Sequence, residues 1–416
     1  MNAQFASRHL AHLKQRRASA QFEDSLMDPA AAQWALLSRI LRANADTTLG
    51  RQWGFAAIGS RAEFTQHVPM QTPSQVRAQI DAAIDSQQPL TAQPAEHVWT
   101  SQHHLGLPRV PVTRPFFKDC QRTLDVWAHW LRQAHPDVAS GRILFLPSDR
   151  DMRSASASPG HASSMARYVY RNLPRSARAP LVGSESLFDL SDPTARAYAA
   201  LRTAVTADVR AVAASDANAL VQLATTLEKH DLSLIEDVER GTFTPRLGVD
   251  AALRHELTRG AWPNPALAGR LRQRRDERGA PLTIGDIWPK MEVLAYPPEC
   301  DSDSLRHTLA PLWPHTTTVG MVSAFPEGWL ALGSRDWPGA GVLAIDTCFI
   351  ELLPADANQA VLPEAAEKDA DYRLVLTNSA GVYRMQTTSR VRCVGFARST
   401  PVVQFLPPER GAHDSD

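Results

Sequence analysis

Residues 372–405, YRLVLTNSAGVYRMQTTSRVRCVGFARSTPVVQF, decide the reading of this chain. Two runs within it, Leu374 to Thr377 and Val391 to Gly395, have the apolar, β-branched character of strands. Tyr383 and Arg384 stand between them. In a strand-rich setting they read either as contacts to a ligand or as a packed aromatic beside a surface arginine. Further strands are expected upstream at Val293 to Ala295, Thr317 to Val322, Val342 to Ile345 and Phe349 to Leu353. The last third of the chain is therefore expected to form an antiparallel or barrel-like sheet.

Earlier segments add helices. DVRAVAAS from Asp208 alternates as a strand, and the DANALVQLATTLEKH that follows sets Leu220, Leu223, Ala224 and Leu227 on one helical face, with Asp216 as N-cap. From Gln33 to Ala43, QWALLSRILRA spaces Trp34, Leu36, Leu37, Ile40 and Leu41 as an amphipathic helix, closed by polar residues and Gly50. Mixed helices and strands give an α/β class with mixed sheets flanked by helices and a strand-rich C-terminal third. Ser148 to Ser164 and Arg270 to Gly279 read as polar loops, and residues 407–416 as a disordered tail.

The 416 residues suffice for a core without covalent staples. Lys+Arg and Asp+Glu balance at 44 each, so no global field favours nucleic acid or an anionic membrane. No run of about 18 apolar residues occurs, which argues against a membrane span. The N-terminus lacks the apolar core of a secretory signal. Cys120, Cys300, Cys348 and Cys393 lack C-x-x-C spacing and read as free thiols in a reducing, cytoplasmic compartment. The arginine-rich stretch Ala268 to Gly279 has no interleaved aromatics and reads as a solvated helix face rather than a nucleic-acid site. His103 and His104 suggest a condensation-enzyme base, but Pro108 stands where its aspartate belongs; with His97 they form only a weak metal set.

Residues 372–405 resemble a segment of the GH3 family of acyl-acid amido synthetases, roughly Y-x-L-V-x-T-x-x-x-G-L-Y-R-Y-R-x-G-D-x-V-x-V-x-G-F-x-x-x-x-P-x-x-x-F. Tyr372, Leu374, Val375, Thr377, Gly381, Tyr383, Arg384, Val391, Gly395, Phe396, Pro401 and Phe405 fall in register, while Thr388 and Ser389 replace the Gly-Asp pair. Asn44, Thr47, Gly50, Arg51, Gly54, Phe55, Phe64, Val68 and Pro69 resemble the family's N-terminal segment, and Phe349 to Pro354 resembles its F-x-E-F-I-P strand. The resemblance runs from about Phe22 to Phe405. It implies the large N-terminal domain of an adenylate-forming fold over residues 22–406, preceded by an extension over 1–21.

In that family ATP and a carboxylic acid form an acyl-adenylate, and an amine or amino acid then displaces AMP. By resemblance, Thr100, Ser101 and Arg109 belong to the phosphate loop, Glu327 to the acidic motif that helps place Mg2+ and nucleotide, and Tyr383, Arg384 and Ser389 to the nucleotide site. The loop departs from the family at Gln102, His103 and His104. The family's aspartate accepts both ribose hydroxyls; Ser389 brings no charge, a loss of roughly 1.5–3 kcal/mol, or one to two orders of magnitude in affinity. Phe405 is followed by eleven residues, where the family continues into a smaller mobile domain. Two functional expectations follow. One is an ATP- and Mg2+-dependent synthetase acting on a small carboxylic acid and an amine, with activity impaired or dependent on a protein partner that supplies the smaller domain. The other is a non-catalytic pseudoenzyme retained for binding or scaffolding.

Overall fold

The helix expected over Gln33–Ala43 begins earlier, at Pro29, because Asp28 caps it: its carboxylate accepts the Ala31 N–H at 2.9 Å and Pro29 occupies the first turn. In the computed structural model, which describes residues 3–86, 89–99, 107, 109–151, 164–325, 327–334 and 336–407, this helix belongs to the first of two compact units. That unit comprises Met1–Trp130, Ser156–Met165 and Gly320–Asp416; the second comprises Leu131–Ala155 and Ala166–Val319. Ahead of the Pro29–Ala43 helix, residues expected as an extension form most of a long helix, Ala3–Met27.

Leu36, Leu37, Ile40 and Leu41 bury the inner face of the Pro29–Ala43 helix in a cluster with Phe55, Phe64, Phe349 and Tyr383. Gln33, wholly buried, spends its amide on the sheet, donating to Cys348 O at 2.9 Å and accepting from Ile350 N at 2.7 Å. A polar side chain survives there because its groups are paired. A two-stranded antiparallel ribbon follows, β1 (Ala95–Trp99) with β2 (Arg109–Thr113).

The second unit is built on β3 (Arg142–Leu146), β4 (Leu181–Val182), β5 (Val209–Ala214), β6 (Val293–Tyr296) and β7 (Thr317–Gly320), in the order β4-β3-β5-β6-β7. The pairs β3·β4, β3·β5 and β5·β6 are parallel. After β5 comes the expected helix, Asn218–Arg240, with Leu220, Leu223, Ala224 and Leu227 buried. Asp216 accepts the Asn218 N–H at 2.9 Å, one position ahead of the cap residue Ala217. Of the two expectations for this stretch, the loop at Arg270–Gly279 gives way to the helix face at Ala268–Gly279: it is the end of a helix, Pro265–Arg278, capped by Asn264 and closed by Gly279 in the left-handed region. Among its arginines, Arg275 pairs with Asp231 at 2.8 Å and Arg272 with Glu239.

The chain then returns to the first unit through β8 (Val322–Phe325), β9 (Gly328–Ser334), β10 (Trp337–Leu343), β11 (Phe349–Pro354), β12 (Asp371–Thr377), β13 (Met385–Ala397) and β14 (Thr400–Leu406). They form one antiparallel sheet in the order β11-β12-β13-β14-β10-β9-β8. The strand expected over Thr317–Val322 is thus divided between two sheets, its halves in β7 and β8. Among the described residues no helix is long and apolar enough to cross a membrane, and all four cysteines are free.

The reversal from β12 to β13 is pinned at Gly381. Its φ is +93°, and an added Cβ would lie 2.8 Å from Leu90 Cβ and 2.9 Å from Thr91 Cγ2. Strain and overpacking combine, so Gly381→Ala is expected to cost about 2–4 kcal/mol. Urea denaturation of the two proteins measures the difference.

Candidate active site

The segment that opened the sequence reading supplies the site's framework. At its centre is Arg384, which is buried and adopts φ +44°. Its backbone is fixed on both sides: the N–H donates to Thr377 Oγ1 at 2.9 Å, and the carbonyl accepts from Gln71 N at 2.9 Å. Its guanidinium grips Glu351 of β11 in a fork, Nε to Oε2 at 2.9 Å and Nη2 to Oε1 at 2.8 Å. Nη1 donates to Val68 O at 2.7 Å and Thr65 O at 3.0 Å. Every nitrogen of the side chain therefore donates within the protein, and the surface-arginine alternative is corrected. Glu351, also readable as a surface strand residue, is 1% exposed and is the other half of this pair.

Tyr383 packs edge-on to Trp53, with ring centroids 5.8 Å apart, and against Phe55 at 5.0 Å. Its hydroxyl finds no hydrogen-bond partner among the described residues, and burial raises its pKa. Ser389 lies where the β12·β13 register shifts: Arg373 faces Arg390 while Val375 faces Gln386. Thr388 projects from this irregularity and Ser389 is nearly buried, its N–H donating to Thr387 Oγ1 at 3.2 Å. Bulges of this kind re-aim side chains and recur beside functional sites. Arg109, on β2, pairs with Asp81. Thr100 and Ser101, with His103 and His104, lie outside the described residues.

Glu327 occupies the turn between β8 and β9. The Pro-Glu-Gly sequence suggests an exposed turn, yet Glu327 is 1% exposed. Its Oε2 has no hydrogen-bond partner among the described residues. Burial pushes the carboxyl up to about 7, opposed only by its own backbone N–H. An unpaired buried carboxylate is costly unless it is protonated or meets a cation. No group of three or more metal-ligating side chains occurs among the described residues.

The sequence reading missed the polar groups behind these residues. Asn378 Nδ2 donates to Glu327 O at 2.6 Å, and Ser379 Oγ donates to Asp119 Oδ2 at 2.9 Å. Asp119 is also held by both of its oxygens on Arg39, each at 3.1 Å. Thr113 Oγ1 caps the following helix by accepting Phe116 N–H and donates to Ser379 O at 2.8 Å. A usable signal was present in Asn378-Ser379-Ala380-Gly381, which is turn chemistry with an Asn that can bond its own backbone.

A carboxyl whose pKa is higher folded than unfolded weakens the fold as it ionises. Stability is unaffected below the ordinary 4.5, falls between there and about 7, and stays lowered above. Glu327→Gln removes this penalty and is expected to stabilise the protein by about 3 kcal/mol at pH 8. It should change little at pH 4, and denaturant melts at the two pH values check both.

Comparison with known proteins agrees with this framework. Residues 18–296 match the GH3 family N-terminal domain and residues 341–407 the GH3 family central domain. A Probable indole-3-acetic acid-amido synthetase of Oryza sativa subsp. japonica is 26% identical over 93% of this chain and 70% of its own. A Jasmonoyl--L-amino acid synthetase of Nicotiana attenuata is 22% identical over 94% of this chain and 71% of its own. The solved structure of a GH3.15 acyl acid amido synthetase superposes with a TM-score of 0.77 at 18% identity, covering 94% of this chain and 71% of that one, and so shares the fold. With family domains matched from residue 18 to 296 and again from 341 to 407, the chain belongs to the GH3 family.

Proposed function

We propose that this chain binds ATP with Mg2+ and activates a small carboxylic acid as its acyl-adenylate, for conjugation to an amine or amino acid. The observation that carries the reading is Glu327, a buried carboxylate whose Oε2 has no hydrogen-bond partner among the described residues. Mg2+ commonly takes one or two carboxylates and completes its shell with water and substrate phosphates, so a single free carboxylate oxygen fits it. When bound there, the ion would offset the negative charge of the phosphate oxygens. Glu327 must lose its proton to act as ligand, and its raised pKa couples binding to proton release near neutral pH.

The remaining residues divide by what they have left to offer. Ser389 can exchange hydrogen bonds with a ribose hydroxyl, and Arg109, Thr100 and Ser101 are assigned to phosphate. Tyr383 and Arg384 shape the site from behind, since both are buried and each nitrogen of the Arg384 guanidinium already donates within the protein. The names of the similar proteins, synthetases for indole-3-acetic acid and jasmonoyl conjugates, support a small organic acid as substrate. The commitment of Arg384 favours a second reading, a non-catalytic descendant that binds ligand without turnover.

Purified protein with ATP, Mg2+ and a panel of aryl and alkyl acids separates the two. The synthetase reading expects thermal stabilisation by Mg2+-ATP together with acid-dependent pyrophosphate release. Stabilisation without release selects the binding protein, and neither effect refutes both. Ser389→Asp is expected to raise nucleotide affinity by about one to two orders of magnitude. An unchanged affinity in calorimetric titration would remove Ser389 from the ribose site.

A further inference from the structure

We infer that Asn378 is a positioning residue for Glu327, fixing through the backbone where that carboxylate stands. The inference rests on the reading of Glu327 as a ligand for Mg2+ with ATP. A carboxylate that must remain available to a ligand cannot be anchored by hydrogen bonds to its own oxygens, and Glu327 Oε2 has none among the described residues. Its placement has to come from the main chain. Asn378 supplies it: Nδ2 donates to the Glu327 carbonyl at 2.6 Å, in the interior, with Asn378 itself wholly buried.

Asn378 is in turn immobilised by the rest of its hydrogen-bonding capacity. Oδ1 accepts from Ala380 N at 2.8 Å, and its own N–H donates to Val382 O at 2.9 Å. The next residue, Ser379, is tied at Oγ to Asp119 and at its carbonyl to Thr113. On the other side of the glutamate, Gly328 leaves no room beside Cys348, the residue just before β11: a Cβ there would meet Cys348 Sγ at 2.9 Å. The Glu327 peptide is thus held from both directions while Oε2 of its carboxylate has no hydrogen-bond partner among the described residues. An amide suits the role because one side chain both donates to Glu327 and accepts from its own turn.

The test titrates MgCl2 at fixed ATP into the full chain and follows the melting temperature for wild type, Asn378→Ser, Asn378→Asp, Glu327→Gln and the Asn378→Ser/Glu327→Gln double variant. Both Asn378 variants, folded by circular dichroism, are expected to need at least tenfold more Mg2+ for half the stabilisation. Their response to ATP in EDTA should match wild type, which loss of packing alone would not spare. Glu327→Gln should abolish the Mg2+ dependence, and the double variant should behave as Glu327→Gln alone. If the Asn378 variants keep a Mg2+ midpoint within twofold of wild type while Glu327→Gln loses it, the inference fails and the Glu327 reading survives. If Glu327→Gln keeps the wild-type Mg2+ dependence, or wild type shows none, the reading fails and takes the inference with it. Loss of fold in both Asn378 variants assigns the residue to folding and overturns the inference.

Discussion

The buried pair of Arg384 and Glu351 is the constraint on which the first unit's functional region depends. Taking two charges out of water costs several kcal/mol per ion, and their attraction offsets this only when geometry is good and the remaining donors are satisfied. The geometry is good and four of the five N–H donors are satisfied: the fork to Glu351 uses two nitrogens, and the third is shared between two backbone carbonyls. One side chain thereby joins residues 65–68, β11 and the start of β13. The left-handed backbone at Arg384 is strained for a residue with a Cβ, and the bonds from Thr377 and Gln71 hold it there.

Around that pair the site separates residues that build from residues that remain chemically open. Tyr383, Arg384, Asn378 and Ser379 are spent on packing or internal hydrogen bonds. Glu327 and Ser389 are not. Glu327 in particular is left in a state the fold would avoid on stability grounds alone, buried with Oε2 unpartnered among the described residues and its carboxyl pushed up to about 7 by burial. Perturbation of this kind is what functional carboxylates share. Membership of the GH3 family rests on the matched domains, whereas the role of Glu327 is the proposal made above, drawn from its electrostatics.

Much of this was legible in the sequence, for reasons that also explain the misses. Helical and strand periodicity found the Pro29–Ala43 and Asn218–Arg240 helices and the cores of β5, β6, β11, β12 and β13, because burial on one face is a local pattern. β3, with its apolar run at residues 143–146, has no counterpart among the sequence expectations. Periodicity is blind to partners distant in sequence. Arg384 and Glu351 are 33 residues apart, so neither the burial nor the pairing of either could be read from its neighbours. Pro-Glu-Gly reads as an exposed turn because turns usually are; that Glu327 is buried, with Asn378 51 residues away bonded to its carbonyl, is not visible in its neighbours. The arginines of Arg270–Gly279 look like a loop by composition, while the other reading of the stretch, a solvated helix face, agrees with the helix that Asn264 caps and Gly279 closes.

Amide hydrogen exchange on the ligand-free protein tests the central claim, that Arg384 and its turn are a preformed part of the fold rather than a loop ordered by nucleotide. The buried, paired N–H groups of Gln71, Asn378 and Arg384 are predicted to exchange as slowly as those of β12 and β13, opening only with the whole unit. Rapid exchange at these amides in the free protein, slowed only by Mg2+-ATP, would contradict it.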